Sequence, residues 1–232
     1  MKLWDKGISI DKKIEQFTVG NDRDIDLHIA KYDVQASLAH AKMLQSIGIL
    51  NTEELQQLEQ GLDDLTSQIE NGTFIIDNQF EDVHSKIEFE LTKTYSDVGK
   101  KIHTARSRND QVLVALQLFY KAELIYIKSK TKAFFETLLE LAETHKKALL
   151  PGYTHLQVAM PSSFGLWFSA YAEVLIDDVY VLDAALKTVD QNPLGSAAGY
   201  GSSFAIDRQL TTELLEFSTL KYNVAKQHKR MK

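Results

Sequence analysis

The sequence predicts an all-α fold, and three observations predict it. Residues 100–150 contain neither proline nor glycine, so nothing in that span breaks a helix. Within it Leu116, Tyr120, Leu124, Ile127, Phe134, Leu138, Leu141 and His145 recur at steps of three and four, with Thr131 filling the gap. That is a heptad-like seam on a helix far longer than the globular average. Finally, no segment shows convincing strand alternation, and no internal repeat or low-complexity tract is present.

Taken in order, the first hundred residues predict helices over 30–47, 52–71 and 81–95. They are separated by Gly48, the Asn71-Gly72 turn and Asp77-Asn78. Asn51 with Glu54 has the spacing of a capping box at the start of the second. The long helix follows, and Pro151-Gly152 stops it. A second seam, Phe164, Phe168, Tyr171, Leu175, Leu182, Leu186 and Val189, predicts a helix over 162–190. Two long seams joined by a short Pro/Gly connection predict antiparallel helices in an extended bundle. A third helix is expected near Ala205, carrying Leu210, Leu214 and Phe217. The expected organisation is a small helical domain, 1–101, and an incomplete long-helix bundle, 102–232. Aromatic residues on several faces of 162–190 predict burial all round, by oligomerisation or by further helices.

At 232 residues the chain has ample length for a core, and 44% hydrophobic with 25% charged residues describes an ordinary globular protein. A formal net charge of -6 argues against a nucleic-acid binder. The absence of cysteine excludes a disulfide, a thiolate nucleophile and Cys-ligated metal. Residues 1–7 lack the apolar core of a signal peptide, and no apolar run has the length of a bilayer span. A cytoplasmic protein with no membrane or nucleic-acid partner is expected.

Three stretches can carry chemistry. Residues 104–111, T-A-R-S-R-N-D-Q, lie where the long helix must begin. A helix start has unpartnered backbone N–H groups and partial positive charge. Arg106 and Arg108 add full charges, with Lys100, Lys101 and His103 upstream. Ser107 or Asn109 can cap the helix, and Asp110 suits its first turn. A cradle for a carboxylate or phosphate and a well-capped, solvated helix start both fit this pattern.

Residues 151–161, P-G-Y-T-H-L-Q-V-A-M-P, give Thr154 and Gln157 capping-box spacing and place His155 at an irregular junction between rigid helices. A general acid or base and a turn histidine bonded to backbone both remain open. Residues 192–203, N-P-L-G-S-A-A-G-Y-G-S-S, hold glycines at 195, 199 and 201 that can bring N–H groups close to an anion. They form neither a P-loop nor a dinucleotide fingerprint, and a flexible interhelical connection is the default reading, with a supporting role in a site as the alternative. Glu81, His84 and Glu88 share one helix face, but a di-iron site needs two Glu-x-x-His pairs. A surface ion-pair ladder is the expectation there, and His28, His40 and His228 show no ligand spacing.

Together, T-A-R-S-R-N-D-Q, P-G-Y-T-H-L-Q-x-x-x-P and N-P-L-G-S-x-A-G-Y-G-S-S-F-x-x-D-R resemble the argininosuccinate lyases of the fumarase/aspartase superfamily. So do Lys2-Leu3-Trp4, Tyr32-Asp33-Val34-Gln35-Ala36-Ser37 with Ala39-His40-Ala41, and Glu81-Asp82-Val83-His84 followed by Glu88. The resemblance covers nearly the whole chain in order. It implies reversible β-elimination of argininosuccinate to arginine and fumarate, without metal or organic cofactor. It further implies that Ser37, Asn109 and Thr154 bind argininosuccinate with Ser107 and Arg108 nearby. His155 would act as acid/base, and Asp33 and His84 are further site candidates.

The sequence also departs from the family. Members are longer and carry a mobile Gly-Ser-Ser-x-x-Met-Pro loop whose serine is thought to be the base, and no such string occurs here. The five-helix bundle is expected to be cut after about three helices, and Trp4-Asp-Lys-Gly replaces the usual Trp-Gly-Gly-Arg-Phe. The tail after Val224 no longer resembles the family. The family's homotetramer gathers each site from three subunits, so this chain alone is expected to have little or no activity. Two other readings are a non-catalytic helical protein on the same scaffold, as in lens crystallins, and a sister lyase acting on another succinyl or aspartyl compound.

Overall fold

A computed structural model describes residues 12–226. The match at Lys2-Leu3-Trp4 and the basic tail beyond 226 lie outside the described residues. Its helices are α1 Lys12–Val19, α2 Asp22–Ile25, α3 Ala30–Ser46, α4 Thr52–Glu70, α5 Val83–Tyr95, α6 Asp97–Lys101, α7 Arg108–Thr144, α8 Phe164–Val189 and α9 Arg208–Leu214. A 3-10 turn, Asp26–His28, precedes α3. The strands are β1 Leu149–Thr154, β2 Gln157–Ser163, β3 Gln191–Asn192 and β4 Thr219–Leu220. The fold is all-α with two small two-stranded sheets. Among the described residues no helix is long and apolar enough to cross a membrane.

Contacts group the chain into two compact units, residues 1–119 with 190–232, and residues 120–189. The division expected near residue 101 follows a change in helix length, whereas the contacts return residues 190–232 to the first unit.

In the first unit, α4 begins with the expected capping box. Asn51 Oδ1 accepts from Glu54 N–H at 2.8 Å, and Glu54 Oε2 accepts from Asn51 N–H at 3.1 Å. Leu58, Leu62 and Leu65 form its buried face and pack with Met43, Leu44, Phe80, Ile87, Leu91 and Ile102. Glycines allow close helix approach here. A Cβ on Gly99 would lie 2.4 Å from the Leu91 carbonyl carbon, and one on Gly61 would lie 2.7 Å from Leu91 Cδ2. Asp82 caps α5, its Oδ1 accepting from Ser85 N–H at 2.7 Å.

The second unit holds the rest of α7, the β1–β2 hairpin and α8. The hairpin corrects the expected irregular junction. Leu149 pairs with Ser163, Pro151 with Pro161 and Thr154 with Gln157, with an irregularity after Gly152 that leaves Ala159 as a bulge. Thr154 and Gln157 therefore close a strand pair instead of capping a helix. His155 and Leu156 form the two-residue turn at φ 50° and 63°, the geometry of a type I′ hairpin that normally selects Asn-Gly. α7 and α8 run antiparallel, with Lys128 Nζ 2.6 Å from Asp183 Oδ1. The seam on α7 is shifted from the expected one. Leu124, Lys128, Thr131, Phe135, Leu138 and Ala142 are the less exposed positions, while Ile127 and Phe134 face outward.

The expected third helix is short. Asp207 caps α9, its Oδ1 accepting from Leu210 N–H at 2.9 Å, and Glu216 at φ 55° lies just past its end. Phe217 is buried but beyond the helix. Thr211 and Thr212, not Leu214, form α9's buried face, because Asn192 Nδ2 donates to both hydroxyls at 3.0 and 2.9 Å.

Candidate active site

Helix α3 is built mainly of small and apolar residues, yet Asp33, Ser37 and His40 are completely buried on it. Their spacing of four and then three places them on one stripe. A buried polar group must find a partner or pay several kcal/mol (about 1–3 in mutational data), and the segment 104–111 supplies the partners. Arg106 Nη1 donates to Ser37 Oγ at 3.0 Å. Gln111 Nε2 donates to both Asp33 oxygens, at 3.0 and 3.1 Å. His40 Nε2 donates to the Thr104 carbonyl at 2.9 Å. From α5, His84 Nδ1 lies 3.1 Å from Asp33 Oδ2, in ion-pair range though off the line of a hydrogen bond.

The electrostatics follow from burial. Desolvation pushes the Asp33 carboxyl up, against the pull of Arg106, Gln111 and Arg108. It pushes His40 down to about 3, helped by Arg106, so this ring is neutral. Arg106 is lowered by its own burial while Asp33, Asp110 and Glu88 hold its charge. Arg106 is thus an internal strut and not an arm of an open cradle, which corrects the expectation for its role.

Of the two candidate caps, Ser107 caps α7, its Oγ accepting from Asn109 N–H at 3.3 Å, and Asp110 Oδ1 accepts from Ser107 N–H at 2.9 Å. Arg108 is half-buried. Its Nη2 is 3.3 Å from Ser85 Oγ and 3.7 Å from Glu88 Oε2, and its Nη1 is 3.7 Å from Asp82 Oδ1. His103 Nδ1 lies 3.7 Å from the same Glu88 oxygen. At 3.7 Å these are ion-pair contacts too long for hydrogen bonds. Glu88 Oε2, His103 Nδ1, Arg106 Nε and Arg108 Nη1 are buried and make no hydrogen bond among the described residues. Burial raises Glu88, with Asp33 and Asp82 adding and Arg106 opposing. Burial also lowers His103, with Arg106 adding. Buried donors and acceptors with free bonding capacity, next to groups of shifted pKa, make this cluster a candidate site for a small polar ligand.

Asp33, Ser37, His84, Ser107, Arg108 and Asn109 therefore all lie in the first unit, where an ion pair joins Asp33 to His84 and a hydrogen bond joins Ser107 to Asn109. Thr154 and His155 lie in the second unit, exposed at the end of the β1–β2 hairpin. The face of Glu81, His84 and Glu88 is not a surface ladder, since His84 is buried against Asp33. Sequence reasoning passed over His40, Gln111 and the anchoring of Asp110. The stripe Asp33, Ser37, His40 was the available signal for the first two, because three polar residues on one face of an Ala-rich core helix require buried partners.

A family model described as Lyase matches residues 7–231. The argininosuccinate lyase of Bacteroides fragilis is 55% identical over 223 residues, covering 96% of this chain and 50% of that relative. That of Thermotoga neapolitana is 44% identical over 222 residues, covering 96% and 56%. The chain spans about half the length of the curated relatives it matches. Among solved structures, EDDS lyase in complex with formate gives a TM-score of 0.77 at 25% identity, over 94% of this chain and 44% of that one. Class II fumarase from Schistosoma mansoni gives 0.68 at 16% identity, over 86% and 47%, a likeness of fold alone. With the match running across both units and through every segment of the buried network, this chain belongs to the lyase family.

Proposed function

We propose that this chain carries two of the three segments of an argininosuccinate lyase site, catalysing reversible β-elimination of argininosuccinate to arginine and fumarate. The observation that supports it most is the cluster of buried polar atoms with free bonding capacity at Glu88, His103, Arg106 and Arg108, built beside Ser37 and the Ser107–Asn109 helix start. In the reaction a base removes a proton from the carbon beside a succinyl carboxylate. The carbon–nitrogen bond to the guanidino group then breaks, and an acid protonates the departing nitrogen. The dianionic intermediate needs donors and cations fixed in advance. Ser37, Asn109 and Thr154 bind substrate, Ser107 and Arg108 support them, and His155 serves as acid/base. Asp33 and His84 hold the α3–α5 side of the site. The whole enzyme acts as a cytoplasmic homotetramer in arginine biosynthesis or the urea cycle, each site completed by other subunits.

The test is fumarate absorbance on addition of argininosuccinate, comparing the 232-residue chain with a version extended through a Gly-Ser-Ser-x-x-Met-Pro loop. The expected outcome is turnover by the extended version only, and loss of about 10²–10³ in kcat when Asn109→Ala removes a donor. Full-rate turnover by the 232-residue chain sinks the shared-site reading. The likeness to EDDS lyase supports a second reading, a sister lyase for another succinyl or aspartyl compound. An extended version inactive on argininosuccinate but active on such a compound would establish it.

A further inference from the structure

The glycines of segment 192–203 can bring N–H groups close to an anion, though a flexible interhelical connection is the default reading of the sequence. The anion the segment meets is a side chain of the protein itself. Gly195 N–H and Ala197 N–H both donate to Asp110 Oδ2, at 3.0 and 2.8 Å. The other oxygen, Oδ1, accepts from Ser107 N–H at 2.9 Å. Asp110 is completely buried. Burial pushes its carboxyl up, and the three backbone donors and Arg106 pull it back.

The segment around this contact is fixed independently. Gly195 has φ 87°, and a Cβ there would fall 2.8 Å from Arg208 Cγ and 2.9 Å from Ile206 Cδ1. Arg208 Nε donates to the Leu194 carbonyl at 3.0 Å, and its Nη2 donates to the Lys221 carbonyl at 2.8 Å. Asn192 Oδ1 accepts from Leu194 N–H at 2.9 Å. The Ser196 carbonyl accepts from both Gly199 and Gly201 N–H at 2.9 Å. A braced turn thus presents two parallel donors, and one carboxylate fastens the start of α7 to it.

The carboxylate cannot be replaced by its amide without loss. Three N–H donors converge on two oxygens, and a carboxamide offers one oxygen and one NH2 group. Whichever way Asn is turned, its NH2 faces at least one donor and leaves it orphaned in a buried place. The change also removes a negative charge beside Arg106, which holds Ser37 Oγ. Asp110 therefore bonds Ser107 directly, and its charge acts on Arg106, which holds Ser37 Oγ.

We propose that Asp110 is a positioning residue for ligand binding, orienting Ser107–Asn109 by tying the start of α7 to the Gly195–Ala197 turn. This rests on the reading that Ser107–Asn109 contacts substrate, and the test separates the two. The 15N-labelled 232-residue chain is titrated with fumarate and, separately, with arginine, following backbone amides by NMR. In the wild type, shifts at Ser107, Arg108 or Asn109 are expected with at least one probe. Bound probe should also slow hydrogen exchange at the Gly195 and Ala197 amides, because coupling between two sites is reciprocal. Asp110→Asn should retain a cooperative melt and bind that probe about tenfold more weakly. Gly195→Ala, at the other end of the tie, should weaken binding similarly, and the double variant should be no weaker than either.

Wild-type amides that respond to neither probe overturn the functional reading and the positioning role together. A wild-type response combined with unchanged affinity in folded Asp110→Asn overturns the positioning role alone. Additive losses in the double variant do the same. If neither variant folds, the wild-type exchange decides: amides at 195 and 197 unaffected by bound probe overturn the role.

Discussion

In the unit formed by residues 1–119 and 190–232, Leu44, Leu58, Leu62, Phe80 and Ile87 are sealed away, and charged side chains are buried beside them with partners. In the unit of residues 120–189, Ile125, Ile127, Phe134, Trp167, Tyr171, Val174 and Tyr180 are exposed, and only a few positions such as Leu138 and Ala172 are buried. An apolar groove opens between the helices, lined by Ile125, Phe135, Leu175, Val179 and Tyr180. The first unit is organised to hold polar groups out of water. The second is a pair of helices whose apolar faces exceed what two helices can cover. The buried charged groups stand where packing is complete, because only a packed surround keeps a buried carboxylate and guanidinium in register.

The largest expected effect breaks this contrast directly. Leu62→Ala should destabilise by about 2–5 kcal/mol, since it removes buried contacts and leaves a cavity. Ile127→Ser in the second unit should stay within about 0.5 kcal/mol and reduce self-association. Chemical denaturation and light scattering check both. A large loss of stability from Ile127→Ser would show that the second unit's outer face is covered in solution.

A smaller effect sharpens the contrast through pH. His40 is held neutral, at about 3 against an ordinary 6.5. Its contribution is therefore fully present above pH 6.5 and is lost as pH falls from 6.5 through about 3, while the unfolded chain takes up the proton. Buried carboxylates work the other way. Asp26, raised to about 6 by burial despite its bond from Val83 N–H, and Asp33, also raised by burial, take up protons in the folded state first. The difference between wild type and His40→Gln isolates the histidine. The wild-type advantage should shrink by about 1.4 kcal/mol per pH unit below 6.5. A constant gap in urea melts from pH 7.5 to 5 contradicts a neutral, buried His40.

The smallest effect concerns the hairpin. Leu156 is 98% exposed and stands at φ 63°, so it has little packing to lose and carries left-handed strain of about 1 kcal/mol. Leu156→Gly should strengthen hairpin amide protection by about that amount. Faster exchange would mean that the side chain is covered in solution.

Much of this architecture was legible in local spacing. The capping box at Asn51 and Glu54, the uninterrupted run to the end of α7 and the cap at Ser107 each depend on neighbours within one turn. The hairpin was not, because His155-Leu156 carries no Gly or Asn to announce a type I′ turn, and Pro151 and Pro161 read as breakers. The α7 seam slipped by one position because Lys128, paired with Asp183, takes a packing position that a purely apolar pattern assigns to Ile127. Ser37, Ser107 and Arg108 stand out by motif as proposed site residues. The contact between Asp110 and Gly195 joins residues 85 apart in sequence, and no local periodicity encodes it.

The pairing of Pro151 with Pro161 has a consequence for the exposed ribbon. Phe164 N–H bonds the Ala148 carbonyl, and alternation along the ladder makes Pro151–Pro161 a pair whose backbone groups face outward from both edges. Proline has no N–H to present there. A ribbon displaying Tyr153, Val158 and Met160 to solvent would otherwise be a template for a third strand from another molecule. With a donor missing on each flank at the same level, sheet growth by edge addition is interrupted on both sides, and the ribbon can remain apolar without seeding fibres.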